Sequence, residues 1–178
     1  ITFLAKLEKY YEIIILFLIF ILGIFTDMKI LNSPKKRLLI QAFFIIILTF
    51  VSKLQIIDTR IDFFNIILES KFINFCFVVF CLLILMNGSN FIDGLNGLLV
   101  GYFTMITIIL VKIDFFHFYE VENDEILFFL LTLFLVFFFN ISNKLYLGDN
   151  GVYVVSTFFG LMIIDYHQSF STISPYFF

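Results

Sequence analysis

Three short stretches hold the residues that could do chemistry. Leu22-Gly-Ile-Phe-Thr-Asp27 closes the first apolar run. Asn87-Gly-Ser-Asn-Phe-Ile-Asp-Gly-Leu-Asn-Gly97 interrupts the middle of the chain. Leu147-Gly-Asp-Asn-Gly151 opens the last apolar run. Each carries one aspartate, Asp27, Asp93 or Asp149, and five of the eight glycines fall in the last two stretches. Glycine lets a backbone turn sharply and approach a ligand closely. Asparagine offers a donor and an acceptor without charge. Carboxylates with no Cys or His beside them suit a hard cation, Mg²⁺ first and Mn²⁺ as the alternative, which keeps waters and binds substrate phosphates. The same residue types also cap helices at ordinary turns. For Asp27 taken alone the two readings weigh equally. For the Asn87–Gly97 stretch capping is the poorer account, because polar residues and three glycines break an apolar run.

The elements that must position these residues follow from composition. The chain is 62% hydrophobic and 14% charged, with a mean hydropathy of +1.09. A soluble domain is about 45–50% apolar and 25% charged, so that class is excluded. A net charge of −3 and the lack of a basic face exclude disorder and a nucleic-acid partner. Two cysteines exclude a disulfide scaffold. What is left is a polytopic membrane protein in a lipid bilayer. A helix needs about 20 apolar residues to cross one, and six stretches come near that: 10–26, 38–54, 72–90, 97–113, 125–141 and 151–167. Helices are expected because lipid offers no partner to open backbone groups, so the fold class is all-α. One exception is expected near 55–62, where Gln55-Ile-Ile-Asp-Thr-Arg-Ile-Asp62 alternates as a short interfacial β element would.

Six alternating crossings put loops 27–37, 88–97 and 141–150 on one side of the membrane. Loops 55–71 and 112–125 and both termini lie on the other. Lys and Arg divide five against six between the sides, so the tally does not orient the chain. The Lys35-Lys-Arg37 cluster beside a span makes the first side cytoplasmic. Of fourteen acids, eleven lie opposite and only Asp27, Asp93 and Asp149 share the cytoplasmic side. A carboxylate at a helix centre costs roughly 2.5–3.5 kcal/mol, less near the interface. Three at span ends on one side call for a reason. The spacings, 66 and 56 residues, each spend two spans and return to the same side.

The Asn87–Gly97 stretch resembles the N-A-x-N-x-x-D-G-x-[D/N]-G element of the polyprenyl-phosphate N-acetylhexosamine-1-phosphate transferases. That family includes the phospho-N-acetylmuramoyl-pentapeptide transferases and the enzymes that start O-antigen and related glycans. Lys144-Leu-Tyr-Leu-Gly-Asp-Asn-Gly151 is similar to its K-x-F-[L/M]-G-D-x-G, with Asn140 matching an Asn just before it. Leu22–Asp27 and the following Leu31-Asn-Ser-Pro-Lys-Lys-Arg-Leu-Leu-Ile-Gln41 resemble its G-x-x-D-D loop and the next helix. The resemblance runs from about residue 12 onward. One departure stands out: Thr26 replaces the first aspartate of the pair. A threonine can hydrogen-bond a phosphate but cannot act as a base at neutral pH.

The resemblance implies transfer of a sugar 1-phosphate from a UDP-sugar to a membrane polyprenyl phosphate, with release of UMP, at the start of a cell-envelope glycan. It implies Mg²⁺ dependence, a bacterial plasma membrane and cytoplasmic active-site loops, with a homodimer as an allowed assembly. It implies Asp27 and Asp93 as catalytic residues and Asp149 with Asp93 as metal ligands. Asn87, Asn90, Asn96, Asn140 and Lys144 would bind substrate. It also implies that this chain is the central part of a longer enzyme of about ten spans, not active by itself. Two other classes compete: a transporter or channel with intramembrane carboxylates, and a non-catalytic remnant of the family, which Thr26 would suit. Other residues read as bland. Cys76 and Cys81 are expected in the apolar core, and His117 and His167 on the surface. The Phe-rich run Phe128–Phe139 faces lipid and neighbouring helices, and Gly101 and Gly160 allow close helix packing.

Overall fold

The computed structural model describes residues 3–95, 97–112 and 123–169. Seven helices and no strand occur among them: α1 Phe3–Asp27, α2 Pro34–Ser52, α3 Asp62–Leu68, α4 Lys71–Ile92, α5 Leu98–Lys112, α6 Asn123–Ile141 and α7 Gly148–Ser169. Six of them cover the six apolar stretches, and the short α3 is the addition. Tyr10–Asp27 and Lys71–Ile92 are long and apolar enough to cross a membrane, and Leu98–Ile109 and Leu130–Ile141 are shorter apolar segments. Pro34 stands at the start of α2, where its missing N–H costs nothing. Lys29, with φ 57°, ends α1 in a left-handed turn.

The chain divides into two compact units, one of residues 1–88 and 149–178, the other of residues 89–148. In the first, α1 packs along α2. Its buried apolar side chains follow helical spacing: Ile15, Ile19 and Leu22; Ile45 and Leu48; Val78, Leu82 and Met86; Val152, Tyr153 and Phe159. A Cβ on Gly160 would meet Leu82 at 2.5 Å, so α7 and α4 pack closely there. In the second unit α5 packs along α6 around Leu99, Val100, Phe103 and Leu133. A Cβ on Gly101 would come within 2.9 Å of Phe137. Both glycines thus serve the close packing expected of them. Phe134, Leu135, Phe138 and Phe139 point outward from α6, which is the side-chain distribution of a lipid-facing helix. Cys76 is exposed rather than in the core, and Cys81 is half-buried. His117 lies outside the described residues.

The β element expected near 55–62 is not a strand. The alternation is real over 54–57, where Leu54 and Ile56 are buried and Gln55 and Ile57 exposed, and it breaks at the buried Thr59. The backbone, however, finds side chains in place of a partner strand. Ile56 N–H donates to Asn74 Oδ1 (3.0 Å), and Asn74 Nδ2 donates to the Ile56 carbonyl (2.7 Å) and to the Leu68 carbonyl (3.1 Å). Gln55 N–H donates to Gln168 Oε1, and Asp58 N–H donates to His167 Nε2. His167 is therefore buried, at 4% exposure, and not a surface residue. Asp58 Oδ1 accepts from the Arg60 N–H and from Asn65 Nδ2 at 2.7 Å each. Those two bonds, the Arg60 one first, hold the Asp58 carboxyl below the usual carboxylate range.

Asn74→Leu should strip the partners from both polar groups of buried Ile56, at about 1–3 kcal/mol for each group left unpaired. A lower thermal midpoint and new proteolysis within 53–61 are the expected readouts. The Asp58 contribution is present above the ordinary carboxylate pKa and is lost as pH falls through its lowered value. Protease resistance of the segment should therefore persist to mild acidity and fail only in strong acid.

Candidate functional site

In the first unit the end of α1 meets the beginning of α7. Helix α7 opens on Gly148, whose φ of 69° turns the chain into the helix, much as Gly97 (φ 78°) does before α5. The first N–H groups of a helix have no partner within it. Here Asp27 supplies one from another part of the chain. Its Oδ1 accepts from the Asp149 N–H at 2.9 Å, and its Oδ2 from the Asn150 N–H at 3.3 Å. A carboxylate at a helix N-terminus is also favoured by the aligned peptide dipoles.

Gly23, one turn before Asp27 on α1, makes the approach fit. A Cβ there would lie 2.1 Å from Asn150 Cα and 2.5 Å from its nitrogen. Those are backbone atoms that cannot swing aside.

The Asp149 side chain points back into this junction. Arg37 Nη1, from the first turn of α2, pairs with Asp149 Oδ2 at 3.3 Å. The Tyr153 hydroxyl, one turn along α7, donates to the same oxygen at 3.0 Å. Tyr153 is fully buried. Thr26 Oγ1 donates to the Leu22 carbonyl within α1 at 3.0 Å. Both contacts of Asp149 fall on Oδ2, and its side chain keeps 21% exposure. Arg37 offsets one of the two carboxylates, an exchange worth on the order of 1 kcal/mol at this exposure.

Among the described residues no three His, Cys, Asp or Glu side chains gather into a metal-ready cluster. The donor set still fits Mg²⁺, which takes one or two carboxylates and fills its octahedron with water and substrate phosphate. Asp149 presents hard oxygen with its Oδ2 already anchored, and Asp27 stands beside it. Asn87, also in this unit, is half-buried on α4 and donates to the Leu83 carbonyl at 2.9 Å.

In the second unit Asp93 lies half-buried just past α4, its N–H bonded to the Ser89 carbonyl. Asn90 is half-buried on the last turn of α4, Lys144 is exposed, and Asn96 falls outside the described residues. Asn140 is 2% exposed. Its Oδ1 accepts from the Gly97 N–H, and its Nδ2 donates to the Leu145 carbonyl at 2.9 Å. Both ends of its amide thus tie the Gly97 turn to the segment before Gly148.

Three residues of the α1–α7 junction escape a reading of the sequence. Arg37 reads as one of a basic cluster that marks membrane sidedness. Gly23 reads as one more helix glycine. Tyr153 carried the clearest signal, because it stands four residues after Asp149 and so on the same face of any helix starting at Gly148.

Gly23→Ala should force α1 off the start of α7 and uncouple Asp27 from its two N–H partners. Overpacking of this kind costs about 1–3 kcal/mol. A lowered thermal midpoint would register it. An unchanged midpoint would show that the helices do not need the glycine.

No curated protein and no solved structure matches the chain. The family model described as Glycosyl transferase family 4 matches residues 10–167. With that match spanning all three motif stretches and the Asp27–Asp149 junction, the chain belongs to glycosyl transferase family 4, the membrane-embedded polyprenyl-phosphate N-acetylhexosamine-1-phosphate transferases.

Proposed function

We propose that this chain takes part in the transfer of an N-acetylhexosamine 1-phosphate from its UDP-sugar to a polyprenyl phosphate such as undecaprenyl phosphate. It works in a bacterial plasma membrane, with the 27–37 loop and both later motif loops cytoplasmic, and starts a cell-envelope glycan. An oxygen of the polyprenyl phosphate attacks the sugar-linked phosphorus. A new P–O bond forms, the bond from that phosphorus to the bridging oxygen breaks, and UMP leaves with the electron pair. The products are a lipid diphosphate-sugar and UMP.

The observation that carries this reading is the junction of α1 and α7. Asp27 and Asp149 lie 122 residues apart in the chain, yet the Asp27 carboxylate holds the Asp149 backbone, and Arg37 holds the Asp149 side chain. Two carboxylates this close suit a divalent cation, and the cation in turn can hold an anionic substrate. When bound, Mg²⁺ neutralises charge on the diphosphate and orients it. Asp149 would hold it, with Asp93 as a further ligand or a nucleotide contact. Asp27 would fix the start of α7 and border the site of the nucleophile. Asn87, Asn90, Asn96 and Lys144 would bind nucleotide and phosphates. Asn140, with both amide ends on backbone, would serve by holding the Gly97 turn and the 145 segment in place. Thr26 brings no base, and none is required of it, since a polyprenyl phosphate is already ionised at neutral pH.

Asp149→Asn in the full natural chain should cut Mg²⁺-dependent UMP release by more than about 100-fold, beyond what a change outside the ligand set costs. Turnover at the original rate would overturn the metal assignment. Cysteines at Lys29 and Arg60 should react with impermeant reagent from opposite membrane faces. Labelling of both from one face would overturn the sidedness.

A further inference from the structure

Tyr153 stands one turn after Asp149 on α7, and its phenol donates to Asp149 Oδ2 at 3.0 Å, the oxygen that Arg37 also holds. Tyr153 is fully buried, and a buried phenol needs a partner for its hydroxyl. The Asp149 carboxylate is that partner.

This arrangement has a directional consequence. A carboxylate anchored through one oxygen by a guanidinium and a phenol cannot turn freely. Its second oxygen has a fixed heading. A group that accepts a cation through that second oxygen is oriented before the cation arrives. Outer partners that orient a ligand in this way commonly set metal affinity by about 10–100-fold.

Resting on the metal role of Asp149 given above, we propose that Tyr153 is the positioning residue that orients Asp149 for the divalent cation. Tyr153 is not a catalytic residue. It acts only through Asp149, by the bond from its hydroxyl to Oδ2.

The test is Mn²⁺ binding, followed by electron paramagnetic resonance on the full natural chain in detergent without substrate. Thermal unfolding is recorded for each variant alongside. Tyr153→Phe, which keeps the ring, should weaken Mn²⁺ binding by about 10–100-fold with little change in thermal midpoint. In an Asp149→Asn background, Tyr153→Phe should have no further effect, since residues acting in series are not additive. Wild-type affinity in Tyr153→Phe would overturn the proposal, as would a full Tyr153→Phe effect in the Asp149→Asn background. Should Tyr153→Phe fail to fold, Tyr153→Leu takes its place with the same two outcomes. Asp149→Asn is measured in parallel. Wild-type affinity there would overturn the metal role beneath the proposal, whereas lost affinity there with intact Tyr153→Phe would overturn the proposal alone.

Discussion

A helix that starts inside a folded protein must find partners for its first N–H groups. For α7 the partner is a carboxylate from another helix. Asp27 closes α1 and caps α7 with both oxygens. Much else at this end of the unit depends on that contact. Gly23 must lack a side chain for the helices to come so near. Arg37 must bring a positive charge, because the cap places one carboxylate beside another. Tyr153 is aimed at Asp149 only because the cap has fixed where α7 begins. An ordinary cap is local, a Ser or Asp just before the helix. The residue before this one is Leu147, with no such group to offer.

The second unit solves the same problem with an amide in place of a carboxylate. Asn140 accepts from the Gly97 N–H and donates to the Leu145 carbonyl. It joins the entry of α5 to the exit of α6. The choice of group follows from the partners. Two N–H donors at one helix start call for an anion, whereas one N–H and one carbonyl call for a side chain that both accepts and donates. A carboxylate at 140 would face the Leu145 carbonyl oxygen without a proton to give.

The sequence made the helices easy to find and their ends fairly so, because six apolar runs separated by Gly, Asn, Pro and charge leave little choice. It misled at 55–62. Alternating burial is real over 54–57, but period two says only that a segment is extended. Whether extended chain pairs with a strand or with side chains depends on Asn74, Asn65, His167 and Gln168, and no local pattern names them. At the site, Asp27 and Asp149 were legible from type and spacing, and their meeting follows from the count of crossings. Arg37 and Gly23 were not. Their parts depend on one distance between α1 and α7 and on which residue of a basic cluster faces inward. The backbone bonds of the Asn140 amide were not legible either, because a motif records that a residue matters and not which way it faces.

The distance along the chain between Asp27 and α7 bears on how this protein is made. Ribosomes add about 5–20 residues per second. The 122 residues from Asp27 to Asp149 therefore take about 6–24 s to appear. For that interval the carboxylate at the end of α1 has been synthesised and its N–H partners have not. It can wait without harm only in water, at the surface of the bilayer, since the same charge deeper in lipid would cost several kcal/mol. The place of Asp27 at the last residue of α1 is therefore a condition of biosynthesis as well as of the finished site.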